Sequence, residues 1–80
     1  MNEYLVEAIK EDNGAVVESW EIFTYSNMQE AIAWARSVAH NASSINPKLM
    51  GYDYLLVHEI ELDEQKEQID SKEIASFGVK

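Results

Sequence analysis

The sequence of 80 residues contains no cysteine. Without thiols the chain forms no disulfide, no thiolate zinc site and no cysteine nucleophile, and a reducing compartment is the natural expectation. Long apolar runs are also missing, since a run such as residues 31–35 is far shorter than the ~20 residues that span a bilayer. The first three residues include Glu3 where an export signal would be basic. We therefore expect a soluble, cytoplasmic protein.

Basic residues are scarce, with six Lys and Arg against fifteen Asp and Glu and a net charge of −9. Nucleic acids and anionic membranes are bound through clustered Lys and Arg, so we expect no direct binding to either. Disorder does not explain this composition, because 46% of the residues are hydrophobic. Eighty residues are enough for one small hydrophobic core and too few for two.

Motifs for catalysis or cofactor binding are also absent. The three glycines, Gly14, Gly51 and Gly78, are scattered and form no phosphate-binding loop. His58-Glu59 lacks the second histidine of a zinc-protease motif, and the acids of the second half lack the glycine and alternation of a calcium loop. His58 is interpreted as a core histidine with a hydrogen-bond partner rather than a general base. We predict no catalytic residue, no metal and no cofactor, and hence not an enzyme.

A β-hairpin is predicted at the start of the chain. Residues 4–10 and 16–24 are rich in β-branched and aromatic side chains, and Asn13-Gly14 between them is typical of a type I′ turn. This two-residue loop pairs each residue i with residue 27−i. One face then pairs Tyr4 with Phe23, Val6 with Glu21 and Ala8 with Ser19, and the other pairs Leu5 with Ile22, Glu7 with Trp20 and Ile9 with Glu18.

A helix and a third strand follow the hairpin. Ser26 with Gln29, or Asn27 with Glu30, fits a capping box, and the apolar residues over 28–42 repeat with helical periodicity. Residues 54–62 alternate as a strand. The remainder, residues 63–80, is predicted to be an acidic extension that adds either a short helix or an edge strand.

These elements predict a single α+β domain of ββαβ order, with a core over residues 1–62. Its sheet has three antiparallel strands in the order 2-1-3, and the helix covers one face. The side chains expected beneath the helix are Tyr4, Val6, Ala8, Phe23, Leu56 and Ile60.

The opposite, uncovered face of this predicted sheet is the candidate functional surface, because it mixes acidic and apolar side chains. The glutamates expected there are Glu3, Glu7, Glu11, Glu18, Glu59 and Glu61, and the apolar residues are Leu5, Ile9, Trp20, Ile22, Leu55 and Val57. An exposed apolar patch usually meets a partner, and Trp often dominates interface energetics. The predicted partner-binding residues are Leu5, Glu7, Ile9, Glu11, Glu18, Trp20, Ile22, Glu59 and Glu61.

The function predicted from these features is that of a small, non-enzymatic protein-binding module. One alternative is an acidic inhibitor, of the kind found in phages and mobile elements, that mimics nucleic acid on a basic DNA- or RNA-handling protein. Another is a structural homodimer. In the simplest alternative, the acidic extension partly covers the face and the glutamates only keep the protein soluble.

Overall fold

A computed structural model of the chain describes residues 1–79. Four strands are present: β1 (Asn2–Asp12), β2 (Ala15–Tyr25), β3 (Tyr54–Leu62) and β4 (Gln68–Gly78). Between β2 and β3 lie α1 (Met28–His40), the one-turn α2 (Ala42–Ile45) and a 3₁₀ helix (Pro47–Gly51). No helix within this part of the chain is long and apolar enough to cross a membrane.

The four strands form one antiparallel sheet in the order β2-β1-β3-β4. The predicted α+β class, with an antiparallel sheet and one main helix, is confirmed, but the predicted number of three strands is wrong. Residues 68–78 form the fourth strand, which was one of the two predictions for the acidic extension. Asp63 stabilises the turn between β3 and β4, because its Oδ1 accepts hydrogen bonds from the amides of Gln65 and Glu67, each at 2.9 Å.

The first hairpin has the predicted turn. Asn13 and Gly14 adopt φ angles of 54° and 82°, the two positive values that a type I′ turn requires. The predicted pairing of Glu11 with Val16 is present beside this turn.

Two β-bulges in β2 shift the register beyond the turn, so the rule that pairs i with 27−i fails there. Val17 and Ile22 are the extra residues, each without a partner of its own in β1. Lys10 consequently pairs with Glu18 rather than with Val17. Because side chains alternate with a period of two, each extra residue moves the following part of β2 to the other face.

The most important consequence concerns Trp20. It lies opposite Ala8 on the helix face and packs against the edge of the core, whereas the sequence placed it on the uncovered face. Ser19, predicted opposite Ala8, pairs with Ile9 instead.

Helix α1 begins at the predicted cap, where Asn27 Oδ1 accepts the Glu30 amide at 3.0 Å. Its small inward side chains allow the helix backbone to approach the sheet closely. The core residues are Val6, Ala8, Ala31, Ala35, Val38, Ala39, Ala42, Leu49, Leu55 and Val57. We call the side of the sheet that carries α1 the helix face and the other side the open face.

The predicted faces of β3 are reversed. Leu55 and Val57, expected on the open face, are fully buried on the helix face, and Leu56 and Ile60 lie on the open face. Glu59 and Glu61, at the C-terminal end of β3, caused the error. They alternate with Leu55 and Val57, so all four residues were predicted to face solvent. Glu59 and Glu61 nevertheless belong to the helix face, opposite Tyr4 and Asn2 of β1.

Candidate functional site

The open face carries none of the three helices and is formed by alternate residues of all four strands. The two central strands supply Glu3, Leu5, Glu7, Ile9 and Glu11 from β1 and Tyr54, Leu56, His58, Ile60 and Leu62 from β3. The edge strands supply Val16, Ser19, Glu21 and Thr24 from β2 and Gln68, Ser71, Glu73 and Ser76 from β4. The face therefore has an apolar centre between two margins that are polar except at the exposed Val16.

The apolar centre is shielded unequally. Ile9 is only 4% exposed and Leu56 only 7%, because residues on central strands have neighbours on both sides. Leu5 and Ile60 are half-buried. Apolar surface thus remains accessible at Leu5 and Ile60, and a partner would cover it.

A partly buried hydrogen bond interrupts this centre. His58 Nε2 lies 3.0 Å from Glu7 Oε1, and the two side chains are 19% and 18% exposed. Glu7 also stands directly opposite Glu21 of β2. Like charges in opposing positions of a sheet repel one another, so this part of the face favours a further positive charge from outside.

A second cluster of charge lies near the start of β3. The Tyr54 hydroxyl donates to Glu11 Oε2 at 3.3 Å, and Asp53 Oδ2 accepts the Glu11 amide at 2.7 Å. Burial, followed by the nearby carboxylates of Glu11, Glu73 and Asp53, raises the pKa of Tyr54 above its ordinary value of 10.0. This end of the open face is therefore strongly negative.

Positive charge is segregated from the open face. Among residues 1–79, the face has five glutamates, Glu3, Glu7, Glu11, Glu21 and Glu73, and no Lys or Arg. The cations lie elsewhere: Lys10 and Lys72 on the helix face, Arg36 on α1, Lys48 in the 3₁₀ helix and Lys66 in the turn between β3 and β4. The apolar centre is thus surrounded by charge of a single sign.

The structure brings together only part of the predicted site. Leu5, Glu7, Ile9 and Glu11 lie on the open face as expected. The other five predicted residues lie on the helix face: Glu18, Trp20, Ile22, Glu59 and Glu61. The six predicted glutamates therefore do not share one surface.

Trp20 is part of an aromatic cluster at the edge of the core. Its ring centroid is 6.1 Å from that of Tyr52, and Lys48 Nζ lies 4.2 Å above the Trp20 ring. Burial and the adjacent carboxylate of Glu18 raise the pKa of Tyr52 above 10.0. Trp20 thus anchors the 3₁₀ helix to β2 rather than contributing to the open face.

The sequence interpretation missed half of the open face. Its β3 residues were assigned to the helix face or given no role in binding, Ser19 and Glu21 of β2 were assigned to the helix face, and no β4 residue was included. The apolar residues of β3 carried no signal for the choice of face, since Leu55 and Val57 are as apolar as Leu56 and Ile60.

Three depressions on the surface of residues 1–79 are small. One on the helix face beside Glu59 holds about 210 Å³, one between α1 and β4 about 270 Å³, and one on the open face about 150 Å³. Ligand pockets usually hold ~300–1,000 Å³. Within the described residues, no three His, Cys, Asp or Glu side chains are grouped so as to hold a metal ion.

Comparison with known proteins identifies no relative. No protein-family model, no curated protein and no solved structure matches the chain. The function must therefore be inferred from the chemistry of the surface itself.

Proposed function

We propose that this protein is a non-enzymatic binding module whose open face docks onto a cationic surface of a partner protein. One observation carries the proposal: five glutamates and no Lys or Arg, among residues 1–79, surround an apolar centre on a sheet face that no helix covers.

The two kinds of side chain would have different roles in binding. Covering Leu5 and Ile60 removes apolar surface from water, which supplies affinity. The glutamates, together with the net charge of −9, attract a positively charged partner over a distance and set its orientation. An interface of this kind needs no deep pocket.

The depression on the open face fits one cationic side chain of a partner. Its volume is about 150 Å³, and its lining is Leu5, Glu7, His58, Ile60, Gln68 and Ser71. A lysine or arginine packs its aliphatic stem against apolar residues while its charged end reaches a carboxylate. Leu5 and Ile60 would contact the stem, and Glu7, which faces Glu21, would accept the charge.

Nucleic-acid mimicry has less geometric support as an alternative. It requires an uninterrupted array of carboxylates on one surface, whereas the predicted six are divided between the two faces and the five on the open face surround an apolar centre. Glu7 is moreover paired with His58. A homodimer through the open face would bring together two surfaces of the same negative sign.

The test begins by capturing proteins from an extract of the native host on the immobilised chain, and then uses one purified partner. Leu5→Ser and Glu73→Lys alter the open face. Ile45→Ser and Glu64→Lys make comparable changes, aliphatic to serine and glutamate to lysine, at exposed positions outside it. Circular dichroism verifies that each variant folds, and calorimetry with the purified partner gives the affinity.

We expect Leu5→Ser to weaken binding about tenfold or more, mainly through faster dissociation, as truncation of a central contact does. Glu73→Lys should slow association and reduce its dependence on salt. Both controls should bind as the wild type does. A partner that binds the two open-face variants normally would refute the proposal. Sedimentation showing a dimer that grows with salt would instead identify a second copy as the occupant of this face.

A further inference from the structure

We infer that the outer edge of β2 accepts an extended, cationic segment of a partner protein as an additional strand. This edge shares Glu21 with the open face, but the inference rests on backbone pairing along β2 and does not require the function proposed above. Three features of β2 carry it: its edge position, the aromatic side chains beside it, and its charge.

Strand β2 is an edge strand of 11 residues, and no strand within residues 1–79 lies beyond it. An edge strand presents unpaired backbone N–H and C=O groups that can pair with another chain. The bulges at Val17 and Ile22 divide this edge, leaving residues 18–21 and 23–25 as its regular parts. A short segment is therefore the natural occupant.

Aromatic side chains line the helix face of this edge. Helix α1 packs most closely on β3 and less on β2, so Phe23 is 55% exposed and Tyr25 is half-buried. The Phe23 and Tyr25 ring centroids are 4.7 Å apart, and Tyr25 is 6.2 Å from Trp34 of α1. Alternate side chains of an added strand would extend the sheet beside these rings and pack against them.

The charge of β2 selects the occupant. The strand contains no Lys or Arg. Glu18 already lies opposite Lys10 of β1, but Glu21 lies opposite Glu7, so a segment with alternating basic and apolar residues would pair favourably beside Glu21. A second copy of β2 is disfavoured, because two copies contribute four glutamates and no cation to the contact.

The opposite edge of the sheet is less receptive. Strand β4 carries Lys72 near its middle, between Asp70 and Glu73. Lysine on an edge strand discourages further pairing, and Lys72 Nζ already lies 3.6 Å from Glu59 Oε1. The two edges therefore differ, and β2 is the one suited to a cationic strand.

The experiment uses the full chain and a capped, fluorescently labelled nine-residue peptide of alternating lysine and valine. The control peptide has the same sequence with every backbone nitrogen methylated, which preserves the charge and removes the hydrogen-bond donors. Anisotropy gives the dissociation constants, and NMR hydrogen exchange shows which amides become protected. Glu21→Lys tests charge at the edge. Glu64→Lys is its matched control, because it changes the net charge equally at an exposed position in the turn before β4.

Strand addition predicts that the unmethylated peptide binds and protects amides in β2, while the methylated peptide binds far more weakly. Glu21→Lys should weaken binding about fivefold and Glu64→Lys much less, because adjacent charges interact more strongly than distant ones. Equal binding of the two peptides, protection confined to β4, or no binding at all would overturn the inference. So would self-association that protects β2 amides without peptide.

Discussion

The helix face and the open face are made from alternate residues of the same strands, yet they are buried in different ways. On the helix face, Leu55 and Val57 are fully buried under small helical side chains. On the open face, Ile9 and Leu56 are nearly as inaccessible although no helix lies over them. Central strands alone can shield side chains to this degree. The open face therefore does not need a partner in order to fold, and its half-buried rim remains available for binding.

Replacing a leucine on each face should give the largest contrast in stability. Leu55→Ala empties a fully buried site and should lower the free energy of unfolding by about 2–5 kcal/mol. Leu5→Ala removes a half-buried side chain and should cost about 1 kcal/mol. Urea unfolding followed by circular dichroism measures both. Equal losses would mean that the two faces contribute equally to the core.

Inserting a large side chain tests the register of the hairpin. Ala8 is fully buried between the sheet and α1, so Ala8→Phe should overpack the core and cost about 1–3 kcal/mol. Ser19 is exposed on the open face, and Ser19→Phe should change stability by less than about 0.5 kcal/mol. A large loss from Ser19→Phe, in the same unfolding assay, would support the pairing of Ser19 with Ala8 that the sequence predicted.

The sequence supports the local features of this fold better than the assignment of faces. The Asn13-Gly14 turn and the Asn27 cap depend on residues within a few positions of one another, and both are confirmed. Trp20 was misplaced because of the bulge at Val17. A bulge depends on how a whole strand packs, and a β-branched residue such as Val17 gives no sign of one in the sequence. The fourth strand was left ambiguous for a related reason, since β4 also contains two bulges.

The candidate site was predictable only in part for the same physical reason. Strand β1 contains no extra residue, so its alternation places Leu5, Glu7 and Ile9 on the open face as expected. The contribution of β3 could not be predicted without the position of α1 along the strand. Sequence periodicity says which residues share a face, but only packing says which face the helix covers.

Removing the helix cap should weaken the helix face and leave the open face intact. Asn27→Ala deletes the acceptor for the Glu30 amide and should lower stability by about 1 kcal/mol. Because Asn27 lies outside the open face, partner binding through that face should keep its wild-type affinity at temperatures where the variant is folded. Thermal unfolding and calorimetry test the two statements. A loss of affinity in the folded variant would show that the two faces are coupled.

The smallest expected effects concern the pKa values of two tyrosines, one on the open face and one at the edge of the core. Tyr54 lies beside Glu11 on the open face, and Tyr52 lies beside Glu18 at the edge of the core. Burial is the first cause that raises each pKa above 10.0, and the neighbouring carboxylate is the second. Glu11→Gln should therefore lower the pKa of Tyr54 without moving that of Tyr52, and Glu18→Gln should do the reverse. NMR titration of the tyrosine ring carbons measures each pKa separately.

The raised pKa values of Tyr52 and Tyr54 determine the direction in which stability depends on pH. The folded chain holds these phenolic protons to higher pH than the unfolded chain, whose tyrosines titrate near 10. Their contribution to stability is thus fully present below pH ~10 and is lost as the pH rises through the folded-state pKa values. Glu11→Gln brings the pKa of Tyr54 in the folded chain closer to its value in the unfolded chain. The stability of this variant should therefore fall less steeply above pH ~10 than that of the wild type. A steeper loss, or a Tyr54 pKa that does not respond to Glu11→Gln, would contradict the contact between the Tyr54 hydroxyl and Glu11 on the open face.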